Sequence, residues 1–190
     1  MRVMVLVLVC GLVTGVPEAW AKTAAQMVAE TVVKAIRTAK KADKMIQQKN
    51  GYVRVNSRKK LKAACKDVKD GVEVHVGSVA MYTKMYRTMM QGGGMGRAMA
   101  KEYIRYAIAY RKAVQASLPV HIRCQAAIKR VRVYISVAAE GERVTLTAKR
   151  WSRRDRIRIR KALKPSAKKL GIRQVSMVDE SGASKGTHRL

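Results

Sequence analysis

The chain has 190 residues, 41 Lys and Arg against 12 Asp and Glu, and a formal net charge of +29. Charge of one sign at that excess opposes compaction and calls for a counter-charged partner, since charge kept only for solubility rarely needs so large an imbalance. A hydrophobic content of 48% excludes a disordered basic tail, and 5% aromatics with no Phe leave a core of Val, Ala, Ile, Leu and Met.

Met1-Arg2 leads into an apolar run from Val3 to Val16, then Pro17-Glu18-Ala19-Trp20-Ala21. A positive start, a short apolar stretch, a breaker and a small-x-small site make residues 1–21 a secretory signal, cut between Ala21 and Lys22. The run is short for a bilayer span, which takes about 20 residues. The cations that follow it (Lys22, Lys34, Arg37, Lys40, Lys41, Lys44) support an alternative, residues 3–16 as an uncleaved anchor with the basic body inside the cell. Removing 1–21 takes away one Arg and one Glu, so the +29 belongs to the body.

Residues 22–70 read as a helical arm. Ala25, Val28, Val32, Ala35, Ala39, Ala42 and Ile46 recur at spacings of three and four, one face of a helix. That stripe can pack on the rest of the protein or meet a helical partner through residues 25–46. Asn50-Gly51 is expected to stop the helix, and Tyr52 to Asn56 alternates weakly as a short strand or linker. Ser57 caps a short helix to Val68 with Gly71 as its terminator.

From 71 to 178 an α+β domain is expected. Val72, Val74 and Val76 alternate with Glu73 and His75 as a strand. Ser78 to Leu118 returns to helix, broken by the Gly92–Gly96 segment and stopped by Pro119. Met81, Met85 and Met89 in the first half, and Tyr103, Tyr106 and Tyr110 in the second, read as packed helix faces. The tyrosines, beside Arg105, Arg111 and Lys112, also resemble a stacking surface interleaved with charge. Val131 to Val137 and Val144 to Ala148 form a β-hairpin around Glu140-Gly141-Glu142. Ser152-x-x-Asp155 opens a helix like a capping box, although Arg156 to Arg160 suits a strand equally well. Pro165 interrupts, Gly171 terminates, Ile172 to Val178 is a last strand, and residues 179–190 are expected to be an unstructured tail. Strand, helix pair, two strands, helix and strand is the order of a ferredoxin-like, split βαβ arrangement.

The chemistry-bearing motifs thin out on inspection. Gly96 is followed by Arg97-Ala98, so the Gly-Lys-Ser/Thr of a phosphate loop is missing and the segment reads as a reversal between helices. His121-x-x-Cys124 has no second ligand pair at zinc spacing, so no metal or cofactor is expected. Cys65 and Cys124 are an even pair, expected to form one disulfide tying the short helix to the C-terminal sheet. No nucleophile–base set is apparent, and the chain is expected not to be an enzyme.

The functional signal is basic. Lys149, Arg150, Arg153, Arg154, Arg156, Arg158, Arg160, Lys161, Lys164, Lys168, Lys169 and Arg173 stand against Asp155 alone, +11 over 25 residues. Guanidinium groups grip phosphate with paired donors, which points to nucleic acid held by its backbone. Trp151 inside the run reads as a core residue. The competing expectation is an exported envelope or secretion-apparatus component that binds anionic lipid, a membrane surface or cell-wall polymer.

Overall fold

The computed structural model describes residues 18–190, with side-chain surroundings from residue 24. The apolar run expected to be a signal or anchor lies outside the described residues. Among those described, no helix is long and apolar enough to cross a membrane.

The fold is mixed α+β, with four helices and two sheets. Helix α1 (Glu18–Asp43) leads to a small hairpin, β1 (Gln47–Lys49) and β2 (Tyr52–Arg54). Two long helices follow, α2 (Arg58–Met90) and α3 (Gly94–Ile128). The C-terminal third comprises β3 (Ser136–Glu140), β4 (Arg143–Thr147), α4 (Arg153–Ala167), β5 (Gln174–Val178) and β6 (Ser184–Arg189). Its sheet order is β3-β4-β5-β6, with antiparallel outer pairs and a parallel β4–β5 pair joined by α4.

The stripe on α1 turns inward: Val28, Ala39, Ala42 and, just beyond the helix, Ile46 are buried. The helix ends earlier than Asn50-Gly51. Those two residues, at φ of 54° and 80°, instead make the two-residue turn between β1 and β2 that an Asn-Gly pair favours. Ser57 caps α2 by accepting from the Lys60 N–H.

The expected strand at Val72–Val76 does not exist; the segment lies inside α2, which passes through Gly71 without stopping. Its buried residues are Leu61, Cys65, Val68, Val72 and His75, spaced four, three, four and three. A helical period sustained over four turns outweighs five residues of Val-rich alternation, because it lets one face enter the core while Val74 points to solvent. With that strand gone, and with β4 and β5 parallel at the centre of a sequentially ordered sheet, the ferredoxin-like arrangement is not confirmed.

Pro119 does not stop α3, and Pro165 lies inside α4. Each proline removes one backbone donor, yet the turns around Pro119 are packed by buried Leu118, Val120 and Ile122, which hold the helix together. The Gly92–Gly94 segment reverses the chain between α2 and α3, as its composition suggested. Tyr82 on α2 then meets Tyr103, Tyr106 and Tyr110 on α3 at centroid distances of 5.4–6.2 Å. The tyrosines are thus a packed, half-buried face. The methionine stripe of the same helix is looser, since Met81 is exposed.

Cys65 and Cys124 are joined, but the bond ties α2 to α3 rather than a short helix to the sheet. The core gathers around it: Leu61 and Val72 of α2, Ile122 of α3, Val144 and Leu146 of β4, Val175 and Met177 of β5, Ile159 and Leu163 of α4.

The tail expected to be unstructured forms a turn and β6. Asp179 Oδ1 accepts from the Ser181 and Ala183 N–H groups and the Ser181 hydroxyl, and β6 then pairs back along β5. Hydrogen bonds from Ser181 and Lys185 hold the Asp179 carboxyl down at about 2.

Candidate polyanion-binding surface

Helix α4 is where the basic cluster becomes a surface. The alternative of a strand over Arg156–Arg160 is settled in favour of helix by its first turn. The Ser152 hydroxyl accepts from the Asp155 N–H at 3.0 Å and donates to Asp155 Oδ2 at 2.7 Å. Asp155 is buried, and its other oxygen accepts from the Arg132 N–H at 3.0 Å. The one acid in the cluster is therefore turned inward, as an anchor.

The helix buries Asp155, Ile159, Ala162, Leu163, Ser166 and Ala167. Those positions use up its apolar stripe and leave Arg153, Arg154, Arg160, Lys161 and Lys164 exposed on the other side, with Ile157 the single exposed large apolar residue among them. Arg156 and Arg158 are only half-exposed. Arg156 Nη1 donates to the Lys185 carbonyl at 2.6 Å and Arg158 Nη1 to the Arg130 carbonyl at 2.8 Å. Both guanidinium groups are thereby oriented by carbonyls rather than by carboxylates.

The remaining cluster members lie around the ends of this helix. Lys149 and Arg150 are exposed on the connection from β4, and Lys168 is exposed just past the last turn. Lys169, itself exposed, reaches the half-buried Glu73 at 3.6 Å, and Arg173 pairs with Glu142 at 3.1 Å with both side chains exposed. Such pairs contribute little stability and compete weakly with a polyanion. Trp151 belongs to the fold: it packs against the core, and its indole N–H donates to the Val178 carbonyl at 2.7 Å.

Two depressions frame the surface. One, about 250 Å³, lies between α4 and β6 and is lined by Arg153, Arg156, Ile157, Arg160 and His188. The other, about 370 Å³, lies between the start of α2 and the end of α3 and is lined by Arg58, Lys59, Leu61, Lys62, Ala127, Ile128 and Arg130. The second brings in cations remote in sequence from the cluster. Their sequence signal was present in two short basic runs, Arg58-Lys59-Lys60 and Lys129-Arg130-x-Arg132, which only the tertiary fold joins to residues 149–173.

The other candidates resolve as structure. His121 is fully buried, neither ring nitrogen has a hydrogen-bond partner, and burial lowers its pKa to about 4. The neighbouring Cys124 is in the disulfide, so the His-x-x-Cys pair offers no thiolate to a metal. His75 is buried against Tyr110, which lowers its pKa as well. Among the described residues no group of three His, Cys, Asp or Glu side chains is placed to hold a metal ion.

Six Lys or Arg side chains among the described residues pair with a carboxylate, which leaves most of the positive charge uncompensated within the molecule. Compared with protein-family models, with curated proteins and with solved structures, the chain matches none.

Proposed function

We propose that this protein is a non-enzymatic nucleic-acid-binding protein that holds its partner by the phosphate backbone. The observation that carries the reading is the solvent face of α4. Arg153, Arg154, Arg160, Lys161 and Lys164 are exposed there with no carboxylate beside them in the cluster, because Asp155 is buried beneath. Contacts of this kind position a polymer without reading its sequence.

Anionic lipid is a weaker match for the same face. Helices that lie in a membrane surface insert an apolar stripe, and the stripe of α4 is already occupied by the core. A second reading, an exported envelope or secretion-apparatus component that binds anionic lipid or cell-wall polymer, is favoured by the joined cysteines, since disulfides persist in oxidising compartments.

The test is a salt titration of binding to duplex DNA. Affinity falls with a log–log slope of about −0.9 per phosphate contact. Replacing Arg153, Arg154, Arg160 and Lys161 with Gln, four exposed side chains with no hydrogen bond to the rest of the chain, flattens the slope by roughly three to four units. The loss is the same for unrelated sequences, and folding stability stays within about 0.5 kcal/mol. Binding of anionic vesicles by wild type, without DNA binding at moderate salt, transfers the function to the second reading. A variant that binds DNA as wild type does reduces the face to solvated charge.

A further inference from the structure

We propose that the depression between α2 and α3 is a phosphate pocket, and that it receives the terminal phosphate of a nucleic-acid strand lying along α4. The assignment to a strand end rests on the nucleic-acid reading; the pocket's taste for a phosphate dianion does not.

The lining states the ligand's charge. Arg58, Lys59, Lys62 and Arg130 surround a cavity of about 370 Å³ whose floor is Leu61, Ala127 and Ile128, and no carboxylate lines it. That volume is at the small end for ligand sites and suits a phosphate with its sugar. Four cations converging on one concavity favour a compact dianion over the single charge of an internal diester.

These cations also sit where an unliganded protein gains least from them. The first turn of α2 carries Arg58, Lys59 and Lys60 and no acid, so three positive charges stand at the positive end of the helix dipole. Arg130 occupies the left-handed position after the α3 C-cap, at φ 60°. The Arg130 and Val131 N–H groups there close back on the carbonyls of Ala127 and Ala126, a termination that glycine fills without strain. Helix α4 ends through the same kind of turn with Gly171 at φ 68°. The chain thus places glycine at one such turn and a strained arginine at the one that borders the pocket, and backbone strain is retained where it positions function.

The pocket is coupled to the α4 face through the same residue. The Arg130 carbonyl accepts from Arg158, and the Arg132 N–H is held by Asp155. The segment that carries Arg130 is therefore fixed to the first turns of α4, which sets the pocket beside Arg158 of the basic helix.

The experiment uses the full chain, R130G and the double variant K59Q/K62Q. R130G removes the cation and relieves the strained backbone, so it folds at least as stably as wild type and a binding defect in it is not misfolding. At constant ionic strength, inorganic phosphate raises the melting temperature of wild type saturably, and both variants lose that response. Wild type binds a short single-stranded oligonucleotide about tenfold tighter when its end is phosphorylated, the value of one charge-assisted contact. Both variants bind phosphorylated and hydroxyl ends alike. Equal affinity of wild type for the two ends, or a preference that survives in R130G, overturns the strand-end assignment. A phosphate response equal in wild type and variants overturns the pocket. Binding of neither oligonucleotide overturns the nucleic-acid reading, while the phosphate response still decides the pocket.

Discussion

Replacing Asp155 with Ala tests whether the basic face depends on one buried carboxylate. Asp155 accepts from the Ser152 hydroxyl at 2.7 Å and from the Arg132 N–H at 3.0 Å, and it stands in the first turn of α4. A hydrogen bond to a charged group contributes about 1.5–3 kcal/mol, and a favourable charge at a helix N-terminus about 0.3–1 kcal/mol. Since the two hydrogen bonds share one carboxylate and water can partly replace it, the expected loss is about 3–4 kcal/mol rather than the full sum. In a chain of this size each 1 kcal/mol lowers the melting temperature by about 2–4 °C, so Asp155→Ala is expected to melt about 10 °C below wild type. Asp155→Asn keeps an acceptor for Arg132 and is expected to lose less than half as much. Thermal unfolding followed by circular dichroism measures both. A fall of less than about 3 °C for the alanine variant would refute the anchoring role.

Acid should weaken the fold through its buried histidines. His121 titrates at about 4 in the folded protein against 6.5 when exposed, because burial disfavours its charged form. Its folded pKa is depressed, so stability is complete above pH 6.5 and falls as the unfolded state takes up a proton that the folded state refuses. Over that window the loss reaches about 3 kcal/mol, and His121→Leu should flatten the pH dependence; matching slopes for variant and wild type would count against it. The disulfide closes a loop with a sequence separation of 59. Its removal in Cys65→Ser with Cys124→Ser is expected to lower stability by about 4 kcal/mol on the chain-entropy account. Two free thiols in protein purified without reductant would show that the bond is not native.

Local signals were legible where the physics is local. The Ser152–Asp155 cap and the turn at Gly141 depend on residues a few positions apart and stand where the pattern put them, and the reversal falls inside the expected Gly92–Gly96 segment, with α3 already under way from Gly94. The cysteine pairing was legible from parity alone, but not which elements it joins. The strand expected at Val72 failed because its alternation was judged over five residues. The competing helical period runs from Leu61 to His75 and is visible only when Cys65 and Val68 are placed on the same face. Pro119 as a stop and Pro165 as an interruption follow from the missing donor, but core packing on the flanking turns lets each helix run through. Strand β6 was missed because Ser184 to Arg189 carries no apolar alternation; its order comes from pairing with β5 and from the Asp179 turn. The twelve cluster residues were legible as charge, whereas Arg58, Lys59, Lys62 and Arg130 come together only where the start of α2 meets the end of α3.

The way this chain orients its arginines bears on how much of its charge it can use. A guanidinium fixed by a carboxylate is half spent, since a phosphate must displace the pair or share it. Arg156 and Arg158 are fixed instead by backbone carbonyls, of Lys185 and Arg130. A guanidinium has five donors, so one bond to a carbonyl restricts the side chain and leaves donors for a partner: four on Arg158, and three on Arg156, whose Nε is buried without a partner. Ordering these side chains in advance removes part of the entropy that binding would otherwise lose, about 0.5–1.5 kcal/mol for each long side chain immobilised. The same bonds tie the edge strand β6 and the segment just after α3 to α4. Charge, rigidity and geometry therefore come from one set of contacts: removing Asp155 or Arg158 should loosen the basic face of α4 as a unit, whereas removing Arg153 or Lys161 should subtract a single charge from it.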